Sequence, residues 1–393
     1  MLAIDFGARS IKVVKLSRTG SGYHLNNFGM ILTPPDSILH GEIKDINAVS
    51  QALSKMLHKK SIYDRNSIIA ITGQKVIVRE ITTPLMGEKE LSEGLQWEAP
   101  KYVPYDLKES LLDAKKIEEL EEKEGTKMMK VLLVAAPKNL VEQQIAVLKN
   151  IRIQPKIVDI VANAQIRAFE SYLTPSSSSA EDGTMIDIIL SMGASTTEIT
   201  LLEGDRLKFT RTILKGGSDI TRLIEKKFNL SFPEAEALKR HVGLSLPEEA
   251  VIAEDNNDIK VEEKEETDAT LEQTDEEQIS TKIDKKDKSI PAEEEIADLV
   301  HTGITDIFNE IRKSLNYFKT QYQKVKYQRI ILCGGMTQLP NIGQTLKKQF
   351  GITVVIANPL KGITVNESDI NIDHLDKYKS ALATAIGLAK RER

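Results

Sequence analysis

The sequence predicts an α/β protein built from two similar halves that face one another. Three observations carry this. A short buried strand, Leu2–Phe6, leads into the turn Gly7-Ala8-Arg9-Ser10, an alternating strand through Ile11, Val13 and Leu16, a Gly-Ser-Gly turn and a third strand over 23–31. The same order returns as 185–191, Met192-Gly193-Ala194-Ser195, 196–202, a Glu-Gly-Asp turn and 206–213. A single offset of 186 superposes the copies, with Asp5 on Ser191, Gly7 on Gly193, Ala8 on Ala194, Ser10 on Thr196, Val13 on Ile199 and Leu16 on Leu202.

The first half is assigned to 1–174, a flexible link starting with the Pro-Ser-Ser-Ser-Ser run to 175–184, and the second half to 185–393. Within the first half, apolar spacing predicts a helix over 48–57, a buried strand over 68–72, a strand over 75–81 that stops before Pro84, and a helix over 89–99 bounded by Pro100. A strong apolar strand over 127–136 and helices over 140–150 and 162–172 follow. In the second half, 245–295 carries 19 acidic and six basic residues and no aromatic one, a composition that predicts disorder or partial helix interrupting the half. Ile296, Val300, Ile304, Ile307, Ile311, Leu315 and Phe318 then keep the three-and-four spacing of one long core-facing helix. A buried strand over 329–333 turns at Gly334-Gly335. Pro340 opens a helix that Gly351 closes, a strand covers 352–356, and small residues mark a last, closely packed helix over 378–390.

With 393 residues, 40% apolar and 28% charged, the chain has ample material for two cores. Its net charge of −5 hides an asymmetry, because the acidic stretch alone carries −13 and leaves +8 on the rest. That basic balance comes without aromatic-basic interleaving, so no nucleic-acid partner is expected. One cysteine, Cys333, and six scattered histidines offer neither a disulfide nor a zinc set, which suits a reducing compartment. No apolar run approaches the ~20 residues needed to cross a bilayer, and Asp5 interrupts the place of an export signal.

The chemistry-bearing residues lie at the turns. In Asp5-Phe6-Gly7-Ala8-Arg9-Ser10, Gly7 lets backbone amides approach phosphate oxygens, Ser10 offers a hydroxyl, Asp5 can hold a hydrated Mg²⁺, and Lys12 brings a point charge on the next strand. An isolated Asp-x-Gly is ordinarily a plain hairpin turn. The repeat changes that, since Gly193, Ala194, Ser195 and Thr196 supply a second amide-rich turn able to clamp a polyphosphate from the other side. Gly216-Gly217, opening a helix, and Gly334-Gly335, leaving a strand, can admit a base or ribose close to backbone, although either pair alone fits a cap or bulge. Walker and Gly-x-Gly-x-x-Gly signatures are both missing.

These residues resemble the actin-like (ribonuclease H-like) ATPase superfamily, with duplicated domains around a nucleotide cleft. Within it the chain resembles the PilM family of type IV pilus assembly proteins, relatives of the cell-division protein FtsA. The resemblance spans nearly the whole chain. Its specific stretches are Trp97-Glu98-Ala99 with Tyr102-Val103-Pro104-Tyr105, and Val131 through Ala135-Ala136-Pro137-Lys138; Ala235 through Lys239-Arg240, Cys333-Gly334-Gly335-Met336 and Ala357-Asn358-Pro359 also match. It implies ATP or ADP with Mg²⁺, bound by the two turns with Gly216, Gly217, Lys239, Gly334, Gly335 and Met336, and a small inserted subdomain over about 83–160. It further implies a cytoplasmic scaffold at the inner face of the inner membrane, in the machinery of twitching motility. There it would bind the cytoplasmic N-terminal tail of a PilN-like membrane protein beside other pilus platform proteins, with membrane contact only indirect. Tyr102 and Tyr105 are candidate anchors for that tail; Trp97 is a third, though filling the core between helix and sheet is the placement expected for it.

Three departures bear on activity. The superfamily's second turn begins with an aspartate that positions metal and water, and Ser191 stands there; Arg167 is the expected counterpart of the water-binding glutamine; the acidic stretch reads as an insertion. The resemblance therefore implies nucleotide binding with slow or no hydrolysis. The alternatives are an FtsA-like division protein, disfavoured because the chain ends on a packing helix without an amphipathic membrane helix, or a sugar-kinase-like phosphotransferase, which needs the carboxylate that Ser191 replaces.

Overall fold

The computed structural model describes residues 1–20, 22–123, 126–173, 184–244, 291–322, 324–366 and 370–391. The link at 175–184, apart from Thr184, and the acidic stretch, apart from 291–295, lie outside them. In the first half, strands β1 (Leu2–Phe6), β2 (Ser10–Thr19) and β3 (Gly22–Leu32) form the expected meander. A two-residue hairpin, β4 (Ile38–Leu39) and β5 (Glu42–Ile43), precedes helix α1 (Ile46–Lys59), whose N-cap Asp45 accepts from Ala48 N. β6 (Asn66–Ile71) then pairs parallel to β1. Period-two alternation decides which core each side chain enters: Leu2, Ile4, Ile11 and Val13 pack under Val49, Leu53 and Met56 of α1, while Ala3 and Val14 face the other side.

The small subdomain is a three-stranded sheet, β7 (Ile77–Pro84), β8 (Ser110–Lys123) and β9 (Thr126–Pro137), in the order β7-β9-β8, with helix α2 (Glu88–Glu98) packed on it through Leu91 and Leu95. Its limits differ from the expected 83–160. It starts before Pro84 and ends at Pro137, because helix α3 (Lys138–Asn150) packs on α1, and β10 (Gln154–Ile160) joins the first sheet beside β6. Helix α4 (Val161–Ala168) follows.

The second half repeats the meander as β11 (Thr184–Met192), β12 (Thr197–Glu203) and β13 (Arg206–Ile213). The offset read from sequence is the register itself: Asp5 opposes Lys12 and Phe6 opposes Ile11 in the first copy, and Ser191 opposes Glu198 and Met192 opposes Thr197 in the second. Helices α5 (Gly217–Phe228), α6 (Phe232–Val242) and the long α7 (Glu293–Gln321) cover one face of this sheet. α7 begins inside the stretch assigned to the insertion, three residues before its first apolar position. β14 (Val325–Cys333), α8 (Ile342–Phe350) and β15 (Thr353–Ile356) complete the sheet in the order β13-β12-β11-β14-β15. On its other face, Ile189, Ile331 and Cys333 pack against Val78, Ala136 and Phe169 of the first half and its subdomain.

The second half does not run to the end of the chain. β16 (Ile363–Val365) pairs parallel to β3 as the edge of the first sheet, and α9 (Ile372–Tyr378) and α10 (Ala383–Ala389) pack on β1, β2 and α4. The chain thus crosses between halves twice. α10 lies so close to α4 that a Cβ on Gly387 would stand 1.7 Å from the Ala164 carbonyl oxygen.

Candidate functional site

The β1–β2 and β11–β12 turns point at each other from opposite halves and open on one cavity of about 770 Å³. Asp5, Gly7, Ala8, Ser10 and Lys12 line it from the first half, and Ser191, Gly193, Ser195 and Thr196 from the second. In the first turn, Lys12 Nζ donates to Asp5 Oδ2 and to the Ser10 carbonyl, both at 3.1 Å. That arrangement follows from the register, which sets Asp5 and Lys12 directly opposite one another.

The second turn carries a group that sequence reasoning missed. Glu198, at the position equivalent to Lys12, is 8% exposed, lines the cavity and accepts from the Thr72 hydroxyl of the first half. Burial, with the nearby Asp5 charge adding to it, pushes its carboxyl up to about 7 against the opposing pull of the Thr72 hydroxyl and the nearby Gln165 amide. Gln165 reaches no hydrogen-bonding geometry: its Oε1 and Nε2 are both buried without a partner among the described residues. Gln165 rather than Arg167 therefore faces the cavity from α4. Arg167 turns away, with NH2 donating to Asp159 Oδ2 at 2.6 Å and Nε to the Gly387 carbonyl at 2.9 Å. The signal that could have found Glu198 was the offset itself, carried from Lys12 onto the second copy.

Toward the second half, Gly217, Lys239, Gly334, Gly335 and Met336 line the same cavity. Gly216 does not. A Cβ there would lie 2.4 Å from the Ala194 carbonyl oxygen, and the amides of Gly217 and Ser218 are spent on the carbonyls of Gly193 and Ala194 at 2.9 and 2.8 Å. The start of α5 thus braces the second turn. Lys239, 5% exposed, donates through Nζ to the Gly217 carbonyl at 2.9 Å, to Thr221 Oγ1 at 2.9 Å and to Glu236 Oε2 at 2.6 Å. Burial opposes the Glu236 charge, yet Lys239 and Arg240 hold its carboxyl down to about 2. Burial also draws the Lys239 ammonium downward. The pair is a preformed polar wall on the second half's side of the cavity.

The donor set fits a hydrated hard cation: Asp5 and Glu198 carboxylates near each other and a neighbouring hydroxyl, without soft ligands. Among the described residues no three His, Cys, Asp or Glu side chains form a closed metal cage, so a cation here would share its coordination with water and phosphate.

The three aromatic residues considered as candidate anchors lie on the small subdomain, outside the lining of the cavity. Trp97 is 82% exposed on α2, which corrects the expectation that it fills the core. Tyr102 and Tyr105 pack their rings against that core, and Tyr105 Oη donates to the Lys75 carbonyl at 2.7 Å; burial pushes its phenol up to about 12.

Two duplicated sheet-and-helix lobes, joined by paired turns over one cleft, define an actin-like protein. Residues 3–252 match the family described as type IV pilus assembly protein PilM, and the chain belongs to that family. Residues 188–387 also match the family of cell division protein FtsA. FtsA of Enterococcus hirae is 24% identical over 204 residues, 52% of this chain but only 40% of that protein's length. Among solved structures, the PilM-PilN type IV pilus biogenesis complex superposes with a TM-score of 0.76 at 23% identity, covering 99% of this chain and 97% of that one. Ethanolamine utilization protein EutJ from Carboxydothermus hydrogenoformans gives 0.49 at 12% identity, over 99% of this chain and 88% of its own. Among the described residues no helix is long and apolar enough to cross a membrane.

Proposed function

We propose that this protein binds Mg-ATP, or ADP, between its two turns and acts as a nucleotide-held scaffold of a type IV pilus platform at the inner face of the inner membrane. The observation that carries the nucleotide reading is the convergence of two register-equivalent turns, one from each half, on a single cavity with a cationic Lys12 and a polar wall on the second half's side. Lys12 and the turn amides neutralise phosphate oxygens; Asp5 and Glu198 orient cation-bound water; Gly217, Lys239 and Met336 receive the nucleoside. The cation, when bound, screens the phosphate charge and orders the water around it.

Turnover is slow in this reading, because Ser191 offers a hydroxyl where a second fixed carboxylate would orient water, and Glu198 holds its proton close to neutrality. ATP then serves as a ligand that draws the halves together. The partner reading rests on the family and on Trp97, an aromatic side chain left in solvent on the small subdomain, which suits capture of a short tail from a PilN-like membrane protein. Localisation follows from that tail rather than from any membrane contact of this chain.

Calorimetry with ATP, single-turnover hydrolysis and co-purification with a PilN-like tail test the proposal. Measurable ATP affinity, turnover well below about one per second and recovery of the tail support it. Absence of ATP binding overturns the nucleotide reading, and faster turnover overturns the scaffold reading in favour of an enzyme.

A further inference from the structure

The segment between β3 and α1 belongs to the first half but ties itself to the second. His40 N donates to Ser195 Oγ at 3.2 Å, and His40 Nδ1 lies 2.9 Å from the Ser195 carbonyl oxygen, which requires the Nδ1–H tautomer. Four residues earlier, Asp36 accepts from Arg222 of α5 at 3.0 Å. His40 and Gly41 form the turn of the β4–β5 hairpin, with φ of 54° and 86°. Such a two-residue turn favours Asn-Gly, and His40 stands at the first of its two positive-φ positions, where Asn, Asp and His are the side chains best tolerated. Gly41 is obligatory as well, since a Cβ would sit 2.5 Å from the Thr72 carbonyl oxygen, the residue whose hydroxyl meets Glu198. The hairpin tip therefore touches the second turn at Ser195 and, through Thr72 of its own half, backs onto Glu198.

We infer that His40 is a positioning residue for phosphate, reaching across the cleft to set Ser195 in its binding geometry. This rests on the nucleotide reading above. The backbone N–H of His40 occupies a lone pair of Ser195 Oγ, which leaves the hydroxyl hydrogen to donate to a phosphate oxygen in the cavity that Ser195 lines. The imidazole fixes the Ser195 carbonyl, and because C=O and N–H of one peptide point in opposite directions, it fixes the Thr196 N–H too. The second turn is complete only when the first half is docked on it. Nucleotide affinity and closure of the halves are then one equilibrium, read at His40.

The experiment is a double-mutant cycle in the full chain, with ATP affinity as the readout: His40→Ala, Ser195→Ala and both together, plus His40→Asn, which tolerates positive φ and keeps a side-chain donor. Thermal unfolding without nucleotide checks each fold. His40→Ala keeps the backbone N–H that meets Ser195 Oγ but loses the imidazole that holds the Ser195 carbonyl, so each single variant should bind ATP about tenfold more weakly, the double should lose clearly less than the product of the two, and His40→Asn should recover to within about threefold. Independent, multiplying losses, or His40→Ala binding ATP as tightly as wild type, overturn the inference. Should His40→Ala not fold, Ser195→Ala with unchanged affinity is enough to overturn it. Wild-type protein that binds no ATP at all removes the nucleotide reading instead, a separate outcome.

Discussion

Lys12 and Glu198 occupy one position of a duplicated hairpin, Lys12 opposite Asp5 and Glu198 opposite Ser191. The first copy pairs a cation with a carboxylate; the second sets a carboxylate against a hydroxyl. Duplication has supplied two turns of the same geometry, with a lysine at this position in one and a carboxyl in the other. One suits phosphate, the other the cation that accompanies it.

Lys12→Ala should weaken ATP binding by tenfold or more, since the ammonium is the cavity's charge at the first turn and is held 3.1 Å from Asp5. The loss should be larger at low Mg²⁺, where the Lys12 ammonium is the cation held at Asp5. Calorimetry at two Mg²⁺ concentrations measures it, and equal affinity in the variant contradicts the assignment.

Glu198→Gln should stabilise the nucleotide-free protein at high pH. The folded-state carboxyl at about 7 lies above its unfolded value of 4.5, so the folded state keeps a proton that the unfolded state releases. Stability is therefore full below about pH 4.5, declines as pH rises through 7, and stays lower above. Glutamine removes that loss, worth on the order of 3 kcal/mol at pH 8 and close to nothing at pH 4.5. Parallel melting curves for wild type and variant at both values decide it; a gap that does not grow with pH refutes the buried-proton account.

Ser191→Asp should raise hydrolysis by restoring a fixed carboxylate beside the cleft. It also places two acids across one register pair, since position 191 lies opposite Glu198, so the gain should need Mg²⁺ and pH above 7. Single-turnover rates across pH test this, and a variant no faster at any pH shows that Ser191 is not the limiting defect.

Gly387→Ala should destabilise the first half by about 3 kcal/mol or more, because the added methyl meets the Ala164 carbonyl at a distance no packed structure tolerates. Chemical denaturation reads the loss. A midpoint within error of wild type would mean that α10 can shift off α4 freely.

Trp97→Ala should leave the melting temperature unchanged, given its exposure, while reducing capture of a PilN-like tail; Tyr105→Phe should cost about 1 kcal/mol of stability through its bond to the Lys75 carbonyl. Pull-down and melting curves separate the two, and undiminished capture by Trp97→Ala moves the interface elsewhere.

The repeat was legible because a strand-turn-strand unit is local, and its offset survives as register. The long α7 was legible because its apolar stripe is periodic over 29 residues. β8 was not: its Lys- and Glu-rich sequence carries few apolar positions, and it is a strand because it pairs along β9 with Leu112 and Ala114 facing the core of Met129, Val131, Leu133 and Ala135. β16, three residues long, carries no pattern, and its pairing with β3 spans nearly the whole chain. Of the site, the turns announced themselves through glycine and hydroxyl residues. Thr72, Gln165 and His40 did not, since each is ordinary in its own segment and acquires its role only where distant segments meet.

The return of α10 to β1 sets an order of events during synthesis. The ribosome makes β1, β2 and β6 roughly 300 residues before it makes the helix that seals their second face. At ordinary translation speeds that interval is on the order of half a minute. For most of it, Ala3 and Ile68 meet only α4 on that face, while Val14 and Leu25 wait for the residues of α9 and α10 that cover them. The lobe that begins the chain is thus the last to become native. A truncation before residue 363 would leave a nascent sheet with an open apolar face, a substrate for chaperones rather than an independent domain.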